Sequence, residues 1–227
     1  MPIFQPFGPD HWAALGLMVI ASVALVVGAP RVRRVGNDRT LRLALAVGLV
    51  GNELLSWVYH LSRGIVGLPL HLCDLALWLM AWALLGRHQL VKELAYFWGL
   101  AGSSQAVLTP DLPVGFPSYG WVKFFLGHCG IVLSAVYLAV RGRVQLTVGS
   151  VWRVWLISNL YVAIVGLVNW RLGTNFGYLA RKPEHPSLLD YLGPWPYYIL
   201  WVEVIALGLF FLCYGFSRTI NRSATAP

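Results

Sequence analysis

Charge is scarce in this chain. Asp, Glu, Lys and Arg together make up 11% of its 227 residues, where a soluble domain carries roughly 25%. That shortage, with 58% hydrophobic residues, excludes an ordinary water-soluble globule and points to a bilayer. Cysteine is scarce too. Cys73, Cys129 and Cys213 lie in separate apolar runs with no CxxC spacing, which argues against a disulfide framework. No HExxH or comparable ligand spacing occurs, so nothing in the spacing points to a metal or other cofactor. Residues 1–11 hold no Lys or Arg, and the basic cluster Arg31, Arg33, Arg34 follows the first apolar run. That is the reverse of a secretory leader. Internal repeats, low-complexity tracts and a separate soluble domain are also missing.

What is present is a series of apolar runs near 12–29, 41–60, 69–86, 94–109, 121–140, 151–172 and 197–215. Each approaches the length that crosses ~30 Å of hydrocarbon. The fourth is the shortest, and its Ala95, Gly99, Ser103 spacing is a small-xxx-small pattern of close helix packing. The expected fold is all-α: one polytopic bundle over 1–227 with seven transmembrane helices, N-terminus outside and C-terminus inside. The positive charges support that count. Twelve of the 17 Lys and Arg (Arg31, Arg33, Arg34, Arg39, Arg42, Arg87, Lys92, Arg141, Arg143, Arg153, Arg218, Arg222) then fall inside, and Arg63, Lys123, Arg171, Arg181 and Lys182 outside. The net charge of +8 thus reads as topology and not as nucleic-acid binding. Trp and Tyr at the helix ends suit interfacial belts. The longest connection, 173–196, contains Pro183, Pro186, Pro194 and Pro196 and ends in a rigid aromatic turn.

Ionisable groups inside a membrane are costly and mark function by default. Here they gather in one half of the bilayer. His11 begins the first run, and Glu53 and His60 lie toward the outer end of the second. His71, Cys73 and Asp74 open the third. His128 and Cys129 lie about two turns into the fifth, Asn169 and Arg171 close the sixth, and Glu203 enters the seventh. The segregation predicts one polar cavity open to the outer leaflet. Asn52, Ser56, Tyr59 or His60, and Arg63 form a stripe on one face of the second helix that can line it.

Cys73 stands out because Pro69 suits the first turn of a helix, which places the thiol about one turn inside a helix N-terminus, where a thiolate is favoured. The plain alternative is a small buried hydrophobe, which is also how Cys129 and Cys213 read. On a helix His71 and Asp74 share a face, while Cys73 lies roughly 200° from His71, so a base for Cys73 must come from another helix. His128 is the best-placed one, with Glu53 or Glu203 to orient it, and a core histidine that fixes packing is the plain alternative. His71 with Asp74 reads as a local N-terminal pair, or as part of a metal site with His128. Glu53 and Glu203 are also able to pair with Arg171 or with histidines to hold the bundle. Arg171, Arg181 and Lys182 read as lipid-phosphate contacts or as a solvated loop partly neutralised by Glu184 and Asp190.

Leu68-Pro69-Leu70-His71-Leu72-Cys73-Asp74, His128, Asn169 and the segment Asn175-Phe176-Gly177-Tyr178-Leu179…Lys182-Pro183…Ser187-Leu188-Leu189-Asp190-Tyr191-Leu192-Gly193-Pro194-Trp195-Pro196-Tyr197 together resemble the bacterial YwaF-type integral membrane proteins, relatives of the animal transmembrane protein 164 family. The resemblance covers nearly the whole chain. It implies a membrane acyltransferase, or an acyl-ester hydrolase, that handles phospholipid or lysophospholipid, with Cys73 as nucleophile and His128 as base. His71, Asp74, Glu53, Asn169, Arg171, Asn175, Tyr178, Lys182 and Glu203 are then the supporting residues, with Asn169 or Asn175 and the backbone N–H groups near Cys73 as oxyanion donors. The Thr-based hydrolases more distantly related to this group have no counterpart here, because the third run opens without Ser or Thr. A bacterial inner membrane is the expected location. The rival reading is a lipid or small-solute transporter or binding protein. Against it stands the lack of an inverted repeat or of a pair of broken helices.

Overall fold

The computed structural model describes residues 2–36, 38–185 and 187–223. Pro186 and the side chain of Arg222 lie outside the described residues. Among those described, the regular structure is helix, apart from one isolated bridge between Ile3 and Val114. Each apolar run coincides with helix, but not always with one helix of membrane length. Five are long and apolar enough to cross a bilayer: α1 (Pro9–Val27), α3 (Arg39–Leu61), α7 (Tyr119–Val140), α8 (Val148–Leu172) and α9 (Tyr197–Ser223), the last as far as Asn221. The first run is closed by a short helix, α2 (Ala29–Arg34), that starts beyond Gly28. Pro30 lacks the N–H a continuous helix requires there.

Two runs depart from the expected spans. The third contains only α4 (Leu72–Leu85), 14 residues long. Its helix does not begin at Pro69. His71 has extended backbone (φ −66°, ψ 146°) and is the residue before the first turn. Its N–H donates to Asp74 Oδ2 at 3.1 Å, so the aspartate three residues on closes the helix start. Cys73 is therefore the second residue of the helix and not a turn inside it, and the helical-face relation of His71 to Cys73 does not apply. The fourth run begins earlier than its apolarity suggests. It forms α5 (Gln89–Phe97), a π-helical turn (Trp98–Gly102) and α6 (Ser103–Leu108) without a gap. Gly99 sits in the π turn, with room only for hydrogen: a Cβ there would lie 2.8 Å from Ile131 Cγ2 and 3.0 Å from Met80 Cε. Ala95, Gly99 and Ser103 are all buried, as a close-packing stripe requires.

Helix α7 is the axis of the bundle. In its apolar window 56% of residues are buried, against 11–22% in the other four long helices, whose outward faces carry bare Leu, Val, Ile and Trp. It packs on α1, α3, α4, α6 and α9. Buried His11 clips α1 to α6. Its Nδ1 accepts the Phe7 N–H at 2.9 Å, so its Nε2 carries the proton and donates to the Val107 carbonyl at 2.8 Å.

Candidate functional site

A narrow cleft with about 20 Å³ of free space lies between α3, α4 and α7. Its lining is Asn52 and Glu53 from α3, Cys73, Asp74 and Leu77 from α4, and Lys123, Gly127, His128 and Ile131 from α7. The cleft therefore brings together Cys73 and His128, which are 55 positions apart in sequence.

The local chemistry follows from each side chain's partners. His128 Nδ1 lies 2.9 Å from the Phe124 carbonyl one turn back. A carbonyl can only accept, so Nδ1 carries the proton and Nε2 is left with its lone pair. The ring also packs on Phe124, with centroids 4.1 Å apart. Cys73 is half-buried, and its thiol donates a long contact, 4.0 Å, to Asp74 Oδ1. Glu53, 4% exposed, accepts from Trp57 Nε1 at 2.9 Å and pairs with Lys123 Nζ at 3.3 Å. Asn52 donates to the Lys123 carbonyl at 3.1 Å. The tight fit of α3 on α7 depends on Gly127, where a Cβ would stand 3.2 Å from Asn52 Nδ2.

The remaining candidates lie elsewhere. His71 faces the 173–196 connection: its Nδ1 accepts the Gly177 N–H at 3.4 Å, and its ring meets Phe176 edge-on. His71, Asp74 and His128 do not converge, and among the described residues no three His, Cys, Asp or Glu are arranged to hold a metal. Asn169, 3% exposed, holds that connection through three hydrogen bonds. Its Oδ1 accepts from Phe176 N and Thr174 Oγ1, and its Nδ2 donates to Phe176 O. Asn175 Oδ1 accepts from the Ala180 and Arg181 N–H groups. Neither residue is among those that line the cleft. The Tyr178 hydroxyl donates to Asp111 at 2.9 Å. Burial first, then the Asp111 carboxylate, push this phenol up, so it remains a donor. Asp111 also holds His185 at 2.5 Å. Lys182 pairs with Asp190 at 3.8 Å, Arg171 is exposed on the last turn of α8, and Glu203 accepts from Asn159 of α8 at 2.9 Å. The expected pairing of Glu53 or Glu203 with Arg171 is replaced by Lys123 and Asn159. Asn169, Asn175, Tyr178 and Lys182 thus fold the 173–196 connection, which caps the α4 start at His71, where Tyr161 of α8 also donates to the Leu70 carbonyl at 2.8 Å.

The residues that the sequence undervalued are Asn52 and Lys123. Asn52 was legible in the polar stripe of α3, whereas Lys123 counts in the sequence only as one outer charge. No curated protein and no solved structure matches the chain. The TMEM164 family model matches residues 6–214, from just before α1 into α9 and across every residue of the cleft. On that match the chain belongs to the TMEM164 family.

Proposed function

We propose that this membrane protein moves or hydrolyses the acyl groups of lipid esters, with Cys73 as nucleophile and His128 as base. The single observation that carries the reading is the shared cleft: a thiol from α4 and an imidazole from α7 line it together, and the Phe124 carbonyl fixes the imidazole as a proton acceptor at Nε2. In the first step His128 Nε2 takes the thiol proton as sulfur attacks the ester carbonyl. The C–S bond forms, the ester C–O bond breaks, and the imidazolium returns the proton to the departing alkoxide. In the second step a lysolipid hydroxyl or water attacks the thioester, His128 takes its proton, and sulfur leaves with that proton. Neither step calls for a metal or cofactor. Donor and acceptor are phospholipid and lysophospholipid in this reading, and the membrane is the bacterial inner one.

The same reading places seven crossings in the bilayer, with the N-terminus outside. Helix α4 with its non-helical lead-in, and the run from α5 through α6, supply the two beyond the five long helices. The bias of Lys and Arg toward one side supports that orientation.

The test is covalent trapping. Purified protein in lipid nanodiscs is incubated with phospholipid bearing a labelled acyl chain, quenched, and treated with hydroxylamine, which releases thioesters. Wild type is expected to carry releasable label, Cys73→Ser none, and His128→Ala label at a rate lower by ~10²–10⁴-fold. Wild type that binds lipid but never acquires label would overturn the enzyme reading in favour of a binding or transport protein.

A further inference from the structure

We infer that Lys92, Arg42, Arg87 and Arg143 form a binding site for a phosphate group at the end of the bundle opposite the cleft, the phosphate coming from the headgroup of an acidic phospholipid or from a soluble ligand. The site takes no part in the acyl chemistry proposed above and stands or falls without it.

The four cations come from separate segments. Arg42 is near the start of α3, Arg87 in the α4–α5 connection, Lys92 near the start of α5 and Arg143 in the α7–α8 connection. Arg42 and Arg143 meet at Asp38. Arg42 also donates to the Leu84 carbonyl, three residues before Arg87, at 2.6 Å. Gln89, one turn before Lys92, donates to the Gln145 carbonyl, two residues after Arg143. The charges of Arg143, Arg42 and Arg87 accordingly all act on Lys92.

Acid is missing where these charges meet. Of the nine Asp and Glu, Asp38 and Glu93 are the two at this end. Asp38 is already taken by Arg42, Arg141, Arg143 and the Tyr137 hydroxyl. Glu93, next to Lys92 in sequence, is turned to α8, where Ser150 and Arg153 hold it. Lys92 is half-buried and Arg87 exposed, and among the described residues neither pairs with a carboxylate. A partly desolvated ammonium without an anion is costly, and neighbouring like charges add to that cost. The bias of Lys and Arg toward this side needs no such gathering: Arg31 and Arg34 satisfy it from exposed positions on α2. A phosphate supplies what is missing, because its oxygens accept from several charged donors at once. The ammonium of Lys92 has three donors, and Arg42 Nη2 and Arg143 Nη1 are left over from the contacts with Asp38 and Leu84.

Native mass spectrometry of the purified protein tests this, since it counts ligand on folded molecules. Phosphatidylglycerol and phosphatidylcholine are titrated into one preparation and the ratio of their affinities is read, so that occupancy of the cleft, open to either lipid, cancels. Inorganic pyrophosphate is titrated separately. If the ligand is a lipid, wild type should favour phosphatidylglycerol by ~10-fold or more; if it is soluble, the lipid ratio should be near one and pyrophosphate should bind. Whichever preference is seen should fall by ~10-fold in Lys92→Gln and by ~3-fold in Arg87→Gln, and return in Lys92→Arg. Arg31→Gln removes the same charge from the same side and should change it by less than ~2-fold. Equal losses in Lys92→Gln and Arg31→Gln would reveal diffuse attraction and overturn the site. So would a wild type that neither favours phosphatidylglycerol nor binds pyrophosphate. Arg87 is exposed, so an unchanged preference in Arg87→Gln overturns the site even if Lys92→Gln does not fold.

Discussion

The end of the bundle opposite the cleft gives the sharpest stability test, because a single carboxylate there organises three arginines. Asp38, 6% exposed, precedes α3. Its oxygens accept from Arg42 Nε at 3.1 Å, Arg141 Nε at 3.0 Å, Arg143 through two nitrogens at 2.9 and 2.5 Å, and the Tyr137 hydroxyl at 2.6 Å. Asp38→Asn keeps the shape but removes the anion, so three guanidiniums crowd a neutral amide. Breaking a fully buried ion pair costs ~3–5 kcal/mol. The arginine side chains are 16, 9 and 31% exposed, so water screens part of the repulsion, and the expected loss is ~2–3 kcal/mol. Burial alone would raise this carboxyl, but the hydrogen bonds from Tyr137, Arg143 and Arg42 outweigh it and hold it well below the usual carboxylate range. A pKa lowered by folding stabilises the fold above the unfolded value, ~3.9 for Asp, and that contribution is lost as pH falls through the folded value. The gap between wild type and Asp38→Asn should therefore be constant above about pH 5 and shrink below about pH 4. Thermal unfolding in detergent, followed by tryptophan fluorescence from pH 7 to pH 3, measures both. Equal stability at pH 7, or a gap that does not narrow in acid, would refute the reasoning.

Two further substitutions probe what positions the cleft. Asn169→Ala removes three hydrogen bonds from a residue 3% exposed. It should cost ~1–3 kcal/mol and speed proteolysis within 173–196, while the cap remains resistant if Asn169 is not its anchor. Gly99→Ala forces a Cβ against Ile131 and Met80 and should destabilise by ~1–3 kcal/mol; unchanged thermal stability would mean that the π turn relaxes without strain.

How far the sequence reveals the fold depends on which signal each segment carries. Hydropathy locates α1, α3, α7, α8 and α9 because lipid-facing helices need little beyond an apolar run of sufficient length. It fails at Leu68-Pro69-Leu70, which is apolar but forms a tight turn, with the Leu70 N–H donating to the Leu68 carbonyl at 2.9 Å. There the decisive contacts are tertiary, since Tyr161 holds the Leu70 carbonyl and Asp74 closes the helix at His71. It fails again at the start of α5, where Lys92 and Glu93 mask a helical turn. Glu93 is 2% exposed, held by Ser150 at 2.8 Å and Arg153 at 3.2 Å, and these partners come from α8. Cys73 and His128 stand out as polar residues inside apolar runs. The roles of Asn169, Asn175, Tyr178 and Lys182 do not, because a motif marks a residue as constrained without saying whether it holds a substrate or folds a loop.

The shortness of α4 matters in a bilayer. Its 14 residues rise ~21 Å, short of the ~30 Å hydrocarbon core. If its far end reaches one interface, its first turn stops ~9 Å below the other. That depth lies within the acyl-chain layer, below the ester linkages at the edge of the hydrocarbon core. A buried break in the backbone would be untenable against lipid, yet here Tyr161, Gly177 and Asp74 satisfy the polar groups around it. The cap formed by 173–196 thus has a physical task that needs no part in any reaction: with Tyr161 and Asp74 it gives the backbone at the α4 start its hydrogen-bond partners, which lets a helix begin within an apolar run.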